Sequence, residues 1–341
     1  MNIKDVAALA GVSPATVSRC LNNTGPLSSE TRTRIEKVID LTGYDVNKAS
    51  KQVDWNHNPT IGVMIPSLLN PVFSEIVAGI QQRARHFGYS VIVVDTQYEL
   101  SRERQAIIDL IRQRVVGVIL TTASVENNEA LSLLREFRFP FCLVHNQSPD
   151  EPCVYVDNYQ AGWDVADQLL ALGHQKTGMV AGRFQSSDRA KQRYLGFTDR
   201  LKQETLLPPM QLVEVDQYAL TPFDQTQGSF FDSLLAPTAW FCSNDLLALK
   251  LVNHLKAQGI AIPEMVSVVG FDGMALGQIL YPPLATIQVP HHTMGLYAVD
   301  LLFNSKHKTT LPLTKQLDYQ PHFVGTMAEC QPPTMRRVLY K

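Results

Sequence analysis

No stretch of the 341-residue chain approaches the run of about 20 apolar residues that a membrane-spanning helix needs, so no membrane partner is expected. Nor is a leader for export expected, because Asp5 falls where a signal peptide would need an unbroken apolar region. Cysteine is scarce: Cys20, Cys142, Cys153, Cys242 and Cys330 are odd in number, widely spaced and in no CxxC pair. That excludes a disulfide framework and a zinc-ligand pattern, and it suits packed thiols in a reducing cytoplasm. Charge is nearly balanced, 30 Lys and Arg against 32 Asp and Glu, for a net of −2. Sequence hallmarks of catalysis are missing too, with no GxGxxG after a strand, no GxxxxGK[ST], no HExxH and no GxSxG. Asp95, His145 and Asp272 could be drawn as an acid/base set, yet no spacing brings a nucleophile to them. No enzyme, cofactor or metal is therefore expected.

What is present is sharply local at the start. In residues 3–23, IKDVAALAGVSPATVSRCLNN, two short apolar runs, Val6/Leu9/Ala10 and Val17/Leu21, flank a break at Gly11. They are too close together to pack on anything but each other, which reads as helix-turn-helix. Ser13 stands where an N-cap is needed, and Pro14 takes the first helical position, where a missing N–H costs nothing. The second helix then presents Ala15, Thr16, Ser18 and Arg19, small side chains, hydroxyls and one guanidinium suited to a major groove, with Val12 and Val17 inside. Such a pair is also a common packing unit of helical bundles, so spacing alone leaves both readings open. Ser28 can cap a third helix with Ile35, Val38 and Ile39 on one face and Gly43 at its end. Over residues 1–58 there are seven Lys and Arg against six Asp and Glu, so phosphate attraction should be modest and tight binding should need two copies of the module plus base contacts.

Residues 45–58, DVNKASKQVDWNHN, carry no sustained apolar period and read as a linker. From Thr60 onward short apolar strands alternate with amphipathic helices: TIGVMI (60–65), YSVIVVD (89–95), GVILTT (117–122) and FCLVH (141–145), then TGMVAG (177–182), QLVEV (211–215), AWFCS (239–243), VSVVGFD (266–272) and TIQVP (286–290). A further strand is expected near Leu311 to Leu317. Alternation of this kind means parallel sheets with right-handed crossovers, here an α/β chain of two doubly wound lobes behind an all-α head. To complete both lobes the chain must cross between them about three times, near Val156-Asp157, Leu284 to Val289 and Asp318 to Val324. The expected division is a head at 1–45, a linker at 46–58, a body at 59–330 and a frayed tail at 331–341. Within the body the lobes are 59–156 plus 290–317, and 157–285 plus 324–330.

Doubly wound lobes bind ligands outside the carboxyl ends of their strands. There the chain places Pro66 to Phe73, Asp95, Thr121-Thr122, His145-Asn146, Asp157, Asn244-Asp245, Asp272 and Gln288. Carboxylates, amides and an arginine suit a polyhydroxylated ligand, because each hydroxyl both donates and accepts.

Several of these strings resemble the LacI/GalR family of bacterial transcription regulators over nearly the whole chain: IKDVAALAGVSPATVSRCLNN in the head, and RYLGF (193–197), FCSNDLLAL (241–249) and VSVVGFDG (266–273) in the body. The resemblance implies a periplasmic-binding-protein-like effector domain, a near-palindromic double-stranded operator, a homodimer or tetramer, and a location in the cytoplasm on the nucleoid. It implies DNA contacts from Ile3, Lys4, Asp5, Ser13, Pro14, Ala15, Thr16, Ser18, Arg19, Asn22 and Thr31. It also implies a hinge helix at Asn47 to Val53, with Val53 wedging into the minor groove and Ser50 one turn before it. Leucine and alanine are usual at those two positions and proline at Val46, so a passive linker stays open. For the effector, a sugar or sugar derivative, it implies Phe73, Asp95, His145, Arg193, Asn244 and Asp272, with Arg193 as clamp and Asp245 capping the helix after Asn244. His145 stands where other members often carry aspartate. A transport protein would need an export signal and a doubly wound enzyme a phosphate-cradling loop, whereas a regulator uses both the head and the ligand-binding lobes.

Overall fold

The computed structural model describes residues 3–44, 59–204, 207–208, 210–215, 236–303 and 313–331. The expected hinge residues Asn47, Ser50 and Val53 and the tail beyond Gln331 lie outside the described residues, as do Leu311 and Pro312.

The head is three helices, α1 (Ile3–Ala10), α2 (Pro14–Asn22) and α3 (Ser29–Thr42). Their ends follow the capping residues. Ser13 accepts a hydrogen bond from Thr16 N, Ser28 accepts one from Thr31 N, and Gly43 ends α3 in the left-handed region. Val6, Ala10, Val17, Cys20, Ile35 and Val38 close the miniature core, each apolar side chain removed from water contributing on the order of 1–3 kcal/mol. Val12, Leu9 and Ile39 are only half-buried, and Leu41 is the buried apolar residue near the end of α3.

Contact clustering divides the chain into two units, the described head residues falling with the first. The first unit carries β1 (Thr60–Ile65), α4 (Pro71–His86), β2 (Ser90–Asp95), α5 (Leu100–Arg112), β3 (Val118–Leu120), α6 (Glu129–Glu136), β4 (Phe141–Val144) and β5 (Cys153–Tyr155). The second holds α7 (Asn158–Ala171), β6 (Thr177–Gly182), α8 (Asp188–Lys202), β7 (Gln211–Val215), β8 (Ala239–Cys242), α9 (Asp245–Ala257), β9 (Ser267–Asp272), a short α10 (Ala275–Gln278) and β10 (Ala285–Gln288). The chain then runs through α11 (His291–Leu302), β11 (Thr314–Gln316) and β12 (Gln320–His322). Among the described residues no helix is long and apolar enough to cross a membrane.

Each sheet has six strands, ordered β11-β5-β4-β3-β1-β2 and β12-β10-β9-β8-β6-β7. In the first, β1 pairs in parallel with β2 and β3, and β4 with β3 and β5; in the second, β6 pairs in parallel with β7 and β8, and β9 with β8 and β10. Both orders reverse at the first strand of the unit, between β1 and β3 and between β6 and β8. Those reversals leave a crevice at the strand carboxyl ends, the general ligand position of doubly wound sheets.

Three expectations need correction. The second passage between units falls at 291–292 rather than 284–289, because β10 pairs with β9 and stays in the second sheet, while the first and third fall at 154–155 and 315–316. β5 and β12 were not foreseen as strands: one is three residues long, and the other is the exposed string Gln-Pro-His paired antiparallel to β10.

Candidate DNA-binding and effector sites

In the head, α2 turns Ala15, Arg19 and Asn22 outward, with Thr16 and Ser18 partly exposed; Ser13 and Pro14 open the same surface. The polar groups are held by short-range bonds, Ser13 Oγ to Thr16 Oγ1 at 2.8 Å and Asn22 Nδ2 donating to Ser18 Oγ at 3.2 Å. These are exposed bonds that base edges or phosphates can replace. Arg32 donates to Asn23 Oδ1 at 2.8 Å, pinning the end of α2 to α3, and Thr31 joins the Ser28 cap at 2.8 Å. Ile3 and Asp5 are partly exposed and Lys4 exposed, at the start of α1.

In the first unit, Phe73 lies in the opening turn of α4 and is 4% exposed. Its ring meets Tyr98 edge-on at 6.4 Å and His145 at 6.1 Å. Two of these residues leave the sheet in the left-handed region, Tyr98 at φ 56° and His145 at φ 70°, conformations that are costly for side chains of this size. Asp95 has a task within the fold: Oδ1 accepts from Gln97 N at 2.8 Å and Oδ2 from Leu68 N at 3.4 Å, binding the loops after β1 and β2 together. Asn146 stitches in the same way, accepting from Thr122 N at 2.9 Å and donating to Thr122 O at 3.1 Å.

In the second unit, α8 carries Arg193, 7% exposed, with its guanidinium carbon 3.8 Å above the ring of Phe271. Close approach of α7 and α8 puts it there. A Cβ on Gly196 would fall on the Tyr159 carbonyl oxygen, and one on Gly162 on the carbonyl oxygen of Arg193 itself. Asp272, at the end of β9, holds φ at 120°, and its Oδ1 lies 3.9 Å from Nε2 of His291. His291 is 2% exposed; burial pushes its pKa down to about 3, the Asp272 backbone pulling it up and the charge of Arg193 pressing further down. The imidazole is therefore neutral near pH 7.

The cap expected of Asp245 is made by Asn244 instead. Asn244 is the N-cap, its Oδ1 accepting from Leu247 N at 2.9 Å. Asp245 is fully buried, accepting from Thr286 Oγ1 at 2.6 Å and Met274 N at 2.7 Å, so it ties the loop after Asp272 to α9 and β10. Burial drives its pKa up to about 7 against the pull of those donors. His291 and Tyr98 were missed from sequence. His291 follows the TIQVP strand directly, one residue beyond the string whose polar strand-end residue is Gln288.

Comparison with known proteins agrees with both parts. Residues 2–47 match the model of bacterial regulatory proteins of the lacI family, and residues 58–316 that of periplasmic binding proteins and the sugar binding domain of the LacI family. The chain is 31% identical to the HTH-type transcriptional repressor CytR of Escherichia coli K12 over 304 residues, 89% of each chain. The lac repressor dimer bound to operator and the anti-inducer ONPF is 26% identical with a TM-score of 0.71, covering 96% of this chain and 99% of that one. A LacI family transcriptional regulator from Enterococcus faecium with bound ribose is 25% identical with a TM-score of 0.69, covering 80% of this chain and all of the other.

Proposed function

This chain belongs to the LacI family of bacterial regulatory proteins, and we propose on that premise that it is a repressor whose grip on a near-palindromic operator is set by a small carbohydrate-like effector. It is a DNA-binding regulator and not an enzyme. The observation that carries the effector half is the gathering of Arg193, Asp272 and His291 at the carboxyl ends of the second sheet, in a chain that opens with a helix-turn-helix. A guanidinium edge offers donors, a carboxylate accepts, and a neutral imidazole does one of each, which is what sugar hydroxyls require. Within the first unit we keep Phe73 and His145, which meet edge-on, as candidate effector contacts, while Asp95 and Asn244 act by shaping their loops.

For the DNA half, we assign base and phosphate contacts to Ser13, Pro14, Ala15, Thr16, Ser18, Arg19 and Asn22 on α2. Ile3, Lys4, Asp5 and Thr31 flank them. Two heads on two half-sites require a homodimer. Supporting one are Leu276, Ile279 and Tyr281, which are 49%, 78% and 93% exposed on and just after α10, a cluster too apolar for a solvent face. The bound ribose of the Enterococcus faecium relative and the operator of the lac repressor dimer favour the same ligand classes here. We place the protein in the cytoplasm, on the nucleoid, with head, linker and body at 1–45, 46–58 and 59–330.

The test separates the halves. Arg193→Ala and Asp272→Ala should each abolish release or tightening of operator by effector while leaving effector-free operator affinity intact, measured by gel-shift titration after a thermal-shift screen of sugars. Equal loss of both activities would refute the effector assignment.

A further inference from the structure

His291 is a buried polar group of the second unit that none of the sequence motifs contains. Its Nε2 lies 3.9 Å from Asp272 Oδ1, too far for a direct hydrogen bond and the span that one hydroxyl oxygen bridges at about 2.8 Å to each. The face of the Arg193 guanidinium is covered by the Phe271 ring at 3.8 Å, so its recognition capacity lies along its edge. Nearby, Arg189 is paired with Asp188 at 3.0 Å. One guanidinium, one carboxylate and one uncharged imidazole sum to zero. A phosphate monoester would bring its negative charge against the Asp272 carboxylate, whereas vicinal hydroxyls can donate to it and also meet the guanidinium and the imidazole.

We propose that His291 is a specificity-determining residue of the effector site, and that with Arg193 and Asp272 it selects an uncharged polyhydroxylated effector, a free sugar or nucleoside, over the phosphorylated form. This rests on the effector-site reading above. Burial keeps the ring neutral, so it reads a hydroxyl by hydrogen bonding and does not act as a cation.

The experiment is isothermal titration of the full-length protein with paired probes: D-ribose and D-ribose 5-phosphate, D-glucose and D-glucose 6-phosphate, adenosine and adenosine monophosphate. The wild type should bind at least one uncharged member, and its phosphorylated partner at least about tenfold more weakly. His291→Phe should lose about tenfold for that uncharged probe with unchanged effector-free operator affinity, and His291→Gln, which keeps a donor and an acceptor, should recover part of it. Equal or tighter binding of the phosphorylated member overturns the selectivity, and wild-type affinity in His291→Phe overturns the role of His291. If Arg193→Ala also leaves binding of the probe untouched, the effector site itself is misplaced; if only the His291 variants are silent, that site stands and this inference falls.

Discussion

Lys37 Nζ lies 2.6 Å from Glu136 Oε1, joining α3 of the head to the end of α6 in the first unit. A second link runs beside it, Arg112 Nε donating to the Leu41 carbonyl at 2.9 Å near the C-terminal end of α3. A three-helix head of this size has a marginal core of its own, so contacts with the body bear on how firmly it is ordered.

Both partners of the ion pair are about half exposed, so a double-mutant cycle of Lys37→Ala and Glu136→Ala should give a coupling of about 0.2–1 kcal/mol that fades as salt is raised. Hydrogen exchange of the α3 amides in the full chain reads it. Faster exchange in Arg112→Ala is expected as well; no change in any of the three variants would mean that the head is ordered without the body.

Arg19 is exposed on the outward face of α2. Replacing it with alanine should cost about 1–3 kcal/mol of operator affinity. If the loss is confined to one operator position, Arg19 reads a base; if all sequences weaken alike and the salt slope drops by about 1, it holds a phosphate. Gel-shift titrations against operators mutated one base pair at a time distinguish these outcomes.

Gly196→Ala should cost at least about 2 kcal/mol of stability, because the added methyl meets backbone carbonyl that cannot rotate away. Separation of α7 from α8 also displaces Arg193, so surviving protein should show a weakened effector response with operator binding kept. Calorimetry together with the effector titration checks both parts, and a wild-type unfolding temperature would show that the helices have room to part.

The pKa of Asp245 is raised to about 7, above its unfolded value near 4. Folded protein thus holds this proton more tightly than unfolded protein. The contribution to stability is fully present below pH 4 and is lost as pH rises through 7, up to a few kcal/mol (~1.4 kcal/mol per unit). His291, lowered to about 3, acts oppositely: its contribution is present above about pH 6.5 and is lost as pH falls toward 3. Denaturant titrations from pH 5 to 8 should therefore show the wild type losing stability with rising pH relative to Asp245→Asn. Parallel curves for the two proteins would place the proton elsewhere.

Elements written in local chemistry were legible without coordinates. Ser13, Pro14, Ser28 and Gly43 act through bonds to residues three or four positions away, so the head's helix ends could be read from neighbouring residues alone. Apart from the three-residue β5, the strands from Thr60 to Asp272 announce themselves as short apolar runs because a parallel strand inside a sheet is buried on both faces. Motif strings single out Arg193 and Asp272 as candidates, since their spacing within each string is short.

What required tertiary structure was every relation between distant segments. β12 is a strand only because β10 offers its backbone edge, and nothing in Gln-Pro-His declares that. The second passage between units is set by β10 pairing with β9, a choice made by hydrogen bonds between strands and not by apolar pattern. Asn244 and Asp245 are adjacent and both could cap a helix; which one does is decided by Met274 and Thr286, distant in the chain, whose donors hold the Asp245 carboxyl group in the interior. Likewise, the sequence carries a histidine at 291, but its neutrality and its distance from Asp272 arise from burial, which depends on everything packed around it.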